Sequence, residues 1–432
     1  MTAPARNQFA TQAEERSGAE AARSTASFGD FADSTVVAGW TSSERVICFV
    51  LMLATLSFIP LVTKGGDALS AGQGSLRGAM ELAGLLAAIA IVAIQFRNSR
   101  VVRRVLSLHS VMLLSSFSAL AMLSAAWSQG PLLSLVKGFE LGAIAVLCAL
   151  IVAALDGQHG PRCCLERILA TGLLIVIGLL LLANVWLYGE LLPRMGDRDR
   201  LALGPANVLN GAELLTVTVV AVVASDFRNV TKLLLLPVLF VMLWWTNARG
   251  SITATFCAIG VASSLKIRRR DYRLALFAVA GCVVLLTALF VNDKLARWAD
   301  ELLPDDSATL NGRTDLWQYT VDQIYESPVI GHGYFANRFV LLKKFDWAGH
   351  AHNSFLEIGL SNGLSGLLLL AAFVGYALYL CIKTGDQLLI LALISCVIQG
   401  FLNPILFVPG LPMLVLMLAM VRSEAAMHGG LM

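Results

Sequence analysis

The sequence predicts an all-α, polytopic membrane protein, and three observations carry that prediction. Of its 432 residues, 57% are hydrophobic and 14% charged, and the mean hydropathy of +0.73 lies outside the range of water-soluble globular chains. Apolar runs recur at 45–63, 78–96, 105–126, 132–154, 168–187, 208–225, 233–247, 250–265, 274–292, 355–381, 387–403 and 411–421. They make about twelve spans, set against the ~20 residues a straight crossing needs. The basic residues sort by side: Arg97, Arg100, Arg103 and Arg104 follow the second run, and Lys266, Arg268, Arg269, Arg270 and Arg273 follow the eighth. Lys and Arg concentrate on the cytoplasmic side of membrane proteins, so both clusters, and with them both termini, are expected inside. The long polar segment after the ninth run is then outside.

This divides the chain into a tail at 1–43, nine spans within 44–292, an outer loop at 293–354 with short helices, and three spans with a cytoplasmic C-terminus at 355–432. The tail is rich in Ala, Ser, Thr, Arg and Glu without an apolar run, which predicts disorder. It lacks the early apolar core of a signal peptide, and Glu14, Glu15 and Glu20 argue against a transit peptide. The eight cysteines fall in apolar spans or inner loops, so neither a disulfide framework nor a metal-ligand spacing is indicated. Net charge of +3 says little about nucleic acid.

The outer loops hold the polar chemistry. Trp127, in Ser124–Pro131, suits the membrane interface. Lys137 and Glu140, three apart within the next span, are costly there unless they pair. Arg194, Arg198 and Arg200 lie outside, against the usual bias, and call for an anionic partner. Asp197 and Asp199 alternate with arginine, which repels a divalent cation, so they are read as partners of the guanidinium groups and no metal is expected. Arg249 is the one charge in the tight turn Thr246–Ser251, and a charge so placed marks a functional site. A helix is expected from Arg313 to Ile324, followed by a turn punctuated by Pro328, Gly331 and Gly333.

In the stretch 331–370 a His-bearing polar segment runs directly into a long apolar helix. Ser354 with Glu357 three residues on reads as a capping box that starts the helix near Ser354. Gly359, Gly363 and Gly366 share one face, which suits close packing against a neighbouring helix. His352 then sits at a helix N-terminus, where free N–H groups favour an anion. A base beside an anion site is a catalytic arrangement.

These residues resemble the bacterial O-antigen ligase and O-antigen or exopolysaccharide polymerase superfamily. Its signature is a His, then Asn, Ser or Gln, nine residues, Gly, two residues and Gly, Thr or Tyr, matched by His352, Asn353, Gly363 and Gly366. Four further pieces follow the family order: the Trp-Ser-x-x-Pro turn at Trp127; Arg200-Leu201-x-x-Gly204-x-x-Asn207, displaced by one residue; the Ala248-Arg249-Gly250 turn; and Gly312-Arg313-Thr314 with Trp317, continued by Pro328, Gly331 and Gly333. The resemblance covers residues 120–370. It implies a GT-C-like glycosyltransferase of the bacterial inner membrane, without a cofactor, active on the periplasmic face. The donor would be a polyprenyl-diphosphate-linked oligosaccharide. The acceptor would be a sugar hydroxyl on a lipid-linked repeat unit for a polymerase, or lipid A core for a ligase. Chain-length regulators or flippases would be its protein partners.

On this reading His352 is the base that takes the acceptor proton, and Arg200, Arg249, Arg313 and Arg198 hold the diphosphate. Asp67 is a rival base. The wording Asn-Gly-Arg-Thr and His-Ala-His-Asn favours a polymerase over a ligase. A transporter or flippase also fits twelve spans, but such folds tend to carry a long inner loop midway, whereas here the long polar segment is late and outside.

Overall fold

A computed structural model describes residues 40–59, 76–95, 99–156, 164–195, 200–203, 208–267 and 313–428. Contacts set off Ser43–Met432 as one compact unit, the helical bundle. Its helices are α1 Ser42–Phe58, α2 Leu76–Gln95, α3 Ser99–Leu106, α4 His109–Leu123, α5 Pro131–Asp156, α6 Cys164–Tyr188, α7 Val208–Ala224, α8 Asn229–Trp245 and α9 Arg249–Ile267. After the undescribed stretch come α10 Arg313–Glu326, α11 Asn337–Leu341, α12 Ser354–Thr384, α13 Gln387–Gly400 and α14 Leu411–Met427. One departure from an all-helical chain is a two-residue antiparallel pair, β1 Arg194–Met195 with β2 Arg200–Leu201.

Among the described residues, His109–Ala126, Pro131–Leu155, Leu165–Tyr188 and Ser354–Thr384 are long and apolar enough to cross a membrane. Ala79–Ile94, Leu209–Ala224, Asn229–Trp245 and Gln387–Gly400 are shorter apolar helices. The protein is therefore a helical membrane protein. The expected span 274–292, the outer segment 293–312 and the basic residues at 268–273 lie outside the described residues.

Burial sorts the helices. α13 and α14 are buried on almost every side, and a helix apolar all round belongs in the middle of a bundle. They pack on each other, α14 also against α5 and α4, and α13 against α9 and α7. Within α5, Lys137 Nζ binds Glu140 at 2.8 Å, as its spacing predicts, and also Glu81 of α2 at 2.6 Å. A charge inside a span is thus matched on two sides, as low polarity demands.

The sequence predicts that the glycines of α12 meet a neighbouring helix, and Gly359 does: a Cβ there would lie 3.0 Å from the Ile324 side chain of α10. At Gly363 the structure instead breaks α12, with φ 59° and ψ −151°. A Cβ there would lie 2.5 Å from the carbonyl carbon of Val329, so the residue must be glycine on two counts, space and φ. What enters the break is the turn at 328–333. Leu364 N–H donates to Pro328 O (2.7 Å) and Ser365 N–H to Val329 O, while His332 and Gly333 donate to Leu360 O and Ser361 O, each at 2.8 Å. A broken helix exposes backbone groups that lipid cannot satisfy, and here a loop of the same chain satisfies them. The same turn also meets the turn after α4: a Cβ on Gly333 would strike Ser128 at 2.4 Å, and Tyr334 N–H donates to Ser124 Oγ at 2.8 Å.

At the other end of α12, Arg422 of α14 forms ion pairs with Glu166 of α6 and Asp386, the N-cap of α13. Ser423 Oγ donates to the same Asp386 carboxylate at 2.8 Å. The cluster ties α6, α13 and α14 together beside the C-terminus of α12.

Candidate functional site

The N-terminus of α12 is set by Asn353 rather than Ser354. Asn353 Oδ1 accepts from Phe355 N–H (2.9 Å) and Leu356 N–H (3.2 Å), so it is the capping residue. Ser354, one position inside, faces the segment after α13: its hydroxyl donates to Asn403 O and accepts from Ile405 N–H and Leu406 N–H. Glu357 reaches back as a capping-box residue does, but to Ala351 N–H at 2.7 Å. Sequence reading finds nothing chemical at Asn403-Pro404; the structure makes that segment the hub on which the site is mounted.

Two residues of α10, one turn apart, explain the spacing of the Arg-Thr-x-x-Trp piece. Arg313 Nη1 donates to Leu402 O at 3.0 Å, and Trp317 Nε1 donates to Ala351 O at 2.8 Å. Ala351 is thus held by Trp317 on its carbonyl and by Glu357 on its N–H, and the imidazoles on either side of it are fixed. The rings of His350 and His352 lie 4.0 Å apart between centroids. His352 N–H donates to His350 Nδ1 at 3.3 Å, which leaves His350 protonated on Nε2 when neutral, a donor there. His352 Nδ1 is buried without a hydrogen-bond partner among the described residues.

Both rings are held neutral. Burial first, then the charges of Arg313 and Arg338, push His350 down from 6.5 to about 4. Burial, then His350 and Arg313, push His352 down to about 2. Burial also lowers Arg313 below the usual arginine range, but the guanidinium stays charged at any working pH. His352 has φ 52°, and Asn247, Phe335 and Phe407 share this left-handed conformation. Such residues cost about 1–3 kcal/mol each and gather where geometry serves function. Phe335 borders the cavity beside the histidine loop, Asn247 lies in the turn before Arg249, and Phe407 carries the carbonyl that binds the Tyr334 hydroxyl at 2.6 Å.

That cavity, of about 580 Å³, is walled by α1, α2, α5, α7, α11 and the segment leading into α14. Its polar lining is Thr55, Glu81, Lys137, Asn210, Glu213, Arg338, His350 and Asn403. His350 therefore faces the cavity, and His352 stands behind it. Arg313 belongs to the same cluster through its charge on both imidazoles. Arg249, at the start of α9, is exposed; a Cβ on its neighbour Gly250 would meet the Leu402 side chain at 2.8 Å, which brings this turn to the same hub. Arg200 sits on β2 opposite Met195, and neither it, Arg249 nor Arg313 lines the cavity. Arg198, Asp197, Asp199 and Asp67 lie outside the described residues.

Sequence reading misses Glu213, Arg338 and Asn210. Glu213 carries a signal, a carboxylate within the apolar run 208–225. Arg338 carries none, being one cation in an already polar loop.

Fold and site together define a helical membrane protein with a discontinuous helix whose start carries a neutral histidine pair beside arginine and an ion-lined cavity. The family model described as O-antigen ligase matches residues 233–371, from α8 through the break in α12. The segment that holds Arg249, Arg313, His350 and His352 is thus similar to the O-antigen ligase family. No curated protein matches the chain.

Proposed function

We propose that the protein is an inner-membrane glycosyltransferase that joins polyprenyl-diphosphate-linked oligosaccharide repeat units into O-antigen or exopolysaccharide on the periplasmic face. The observation that carries this reading is the neutral imidazole pair fixed beside Arg313 and against the cavity. In the reaction the acceptor hydroxyl reaches past His350 and loses its proton to His352, whose basicity is restored when the diphosphate neutralises the Arg313 charge that lowers it. The acceptor oxygen forms a bond to the anomeric carbon. The bond from that carbon to the diphosphate oxygen breaks, and the electron pair leaves on the lipid diphosphate. Arg313, Arg249, Arg200 and Arg198 hold the departing charge, as guanidinium forks bind phosphate oxygens in pairs. His350, a donor at Nε2, holds an oxygen of donor or acceptor.

Transfer of the finished polymer to lipid A core is the second reading, favoured by the description of the matching family. Purified protein given radiolabelled lipid-linked repeat unit in detergent separates the two. Longer lipid-linked chains identify a polymerase, and label moved only when lipid A core is added identifies a ligase. No transfer to either acceptor refutes both.

A further inference from the structure

We propose that Asn210 and Glu213 of α7 form the acceptor-sugar subsite of this cavity, a proposal that rests on the glycosyltransferase reading. The two residues are three apart in the first turns of one helix, a spacing that puts side chains on the same face, and both line the cavity. The other carboxylate of the lining, Glu81, is engaged by Lys137 at 2.6 Å, and Lys137 is shared with Glu140. The side chains of Asn210 and Glu213, by contrast, have no hydrogen bond or ion pair among the described residues.

A carboxylate in a membrane helix without a protein partner is costly, and the cost is relieved when a ligand supplies donors. The rest of the polar lining narrows what that ligand is. Arg338 and His350 present donors, as suits oxygen atoms of the leaving diphosphate or the reacting sugar, whereas Glu213 accepts and Asn210 both donates and accepts. A carboxylate and an amide one turn apart match a pair of sugar hydroxyls: each hydroxyl donates to the carboxylate, and one also accepts from the amide. The apolar remainder, including Leu132, Leu133 and Phe335, offers flat surface to the C–H face of a pyranose ring. The subsite thus holds the non-reacting hydroxyls of the acceptor on α7 and leaves its reacting hydroxyl free to turn toward the histidines and the donor.

Saturation-transfer NMR on the detergent-purified full chain tests this without turnover. The probe is the repeat-unit oligosaccharide released by mild acid from the polysaccharide of the producing cell. Wild type should saturate with it, and Glu213→Ala and Asn210→Ala should each weaken binding about tenfold or more, because hydroxyls matched to a hydrogen-bonding site lose strongly when a partner is removed. Glu213→Gln, which keeps volume and one acceptor, should fall between, and it covers the case in which the alanine variant fails to insert. Equal binding by wild type and Glu213→Gln, or no binding by wild type, overturns the subsite. A wild type that binds the oligosaccharide yet transfers no sugar would count against the glycosyltransferase reading and leave the subsite standing.

Discussion

At the C-terminal end of α12, Arg422, Glu166, Asp386 and Ser423 close on one another, whereas at its N-terminal end two imidazoles lie side by side near Arg313 with His352 Nδ1 left unmatched. Both groups are largely buried and both include arginine. The difference is the balance of charge. At the C-terminal end one cation meets two carboxylates, although Glu166 Oε2 and Arg422 Nη1 make no hydrogen bond there. At the N-terminal end neutral rings stand beside cations, which keeps interaction energy for an anion that arrives from outside.

If that contrast is sound, substitutions at the two ends should act on different measurements. His352→Ala is expected to lower transfer about 10²–10⁴-fold, the range for a lost general base, with membrane abundance and thermal midpoint near wild type. His350→Ala should cost less, since its Nε2 donates rather than takes the proton. A His352→Ala protein with full activity would remove the site from α12. Arg422→Ala should do the reverse. It leaves the Glu166 and Asp386 carboxylates buried without their cation, at about 3–5 kcal/mol, so thermal unfolding in detergent should shift strongly downward while transfer per folded molecule holds.

The pH response sharpens the contrast with a smaller effect. His350 and His352 have folded values of about 4 and about 2 against 6.5 when unfolded. The unfolded chain therefore binds protons first, so this part of the stability is complete above pH 6.5 and is lost as pH falls from there toward 4 for His350. His352 extends the loss lower still. Transfer rate should accordingly show its acid limb below about pH 5 rather than near 6.5. Arg313→Gln, by removing a cation from beside both rings, should move that limb upward. An acid limb near 6.5 in wild type would mean that the imidazoles are solvated and the end is not as closed to water as its burial indicates.

How much of the fold and site was legible in the sequence depends on what each feature is made of. The start of α12 could be read within one residue, because capping has a local alphabet; Asn353 and Ser354 both belong to it, and only the structure shows which one caps. The start of α10 at Arg313 and the Lys137–Glu140 pair were readable for the same reason, being short-range. The break at Gly363 was not. The polar Ser361-Asn362-Gly363 interrupts the apolar run there, but nothing local says that a backbone segment thirty-odd residues upstream will fill the gap. Asn403-Pro404 was missed likewise, as its part in the site consists of main-chain carbonyls and N–H groups offered to Arg313, Asn353 and Ser354.

The turn seated in the break of α12 also decides what a cut in the chain would do. Lys343 and Lys344 are exposed, and trypsin could reach the backbone there. Yet the fragment ending at such a cut would stay attached, through Pro328, Val329, His332 and Gly333, to the very helix that begins the other fragment. Covalent continuity between 334 and 353 is therefore not what keeps the segment from Arg313 to Gly333 on the helical bundle. The two pieces should migrate as one in native detergent gels and separate only on denaturation, as a protein built from two interlocked chains would.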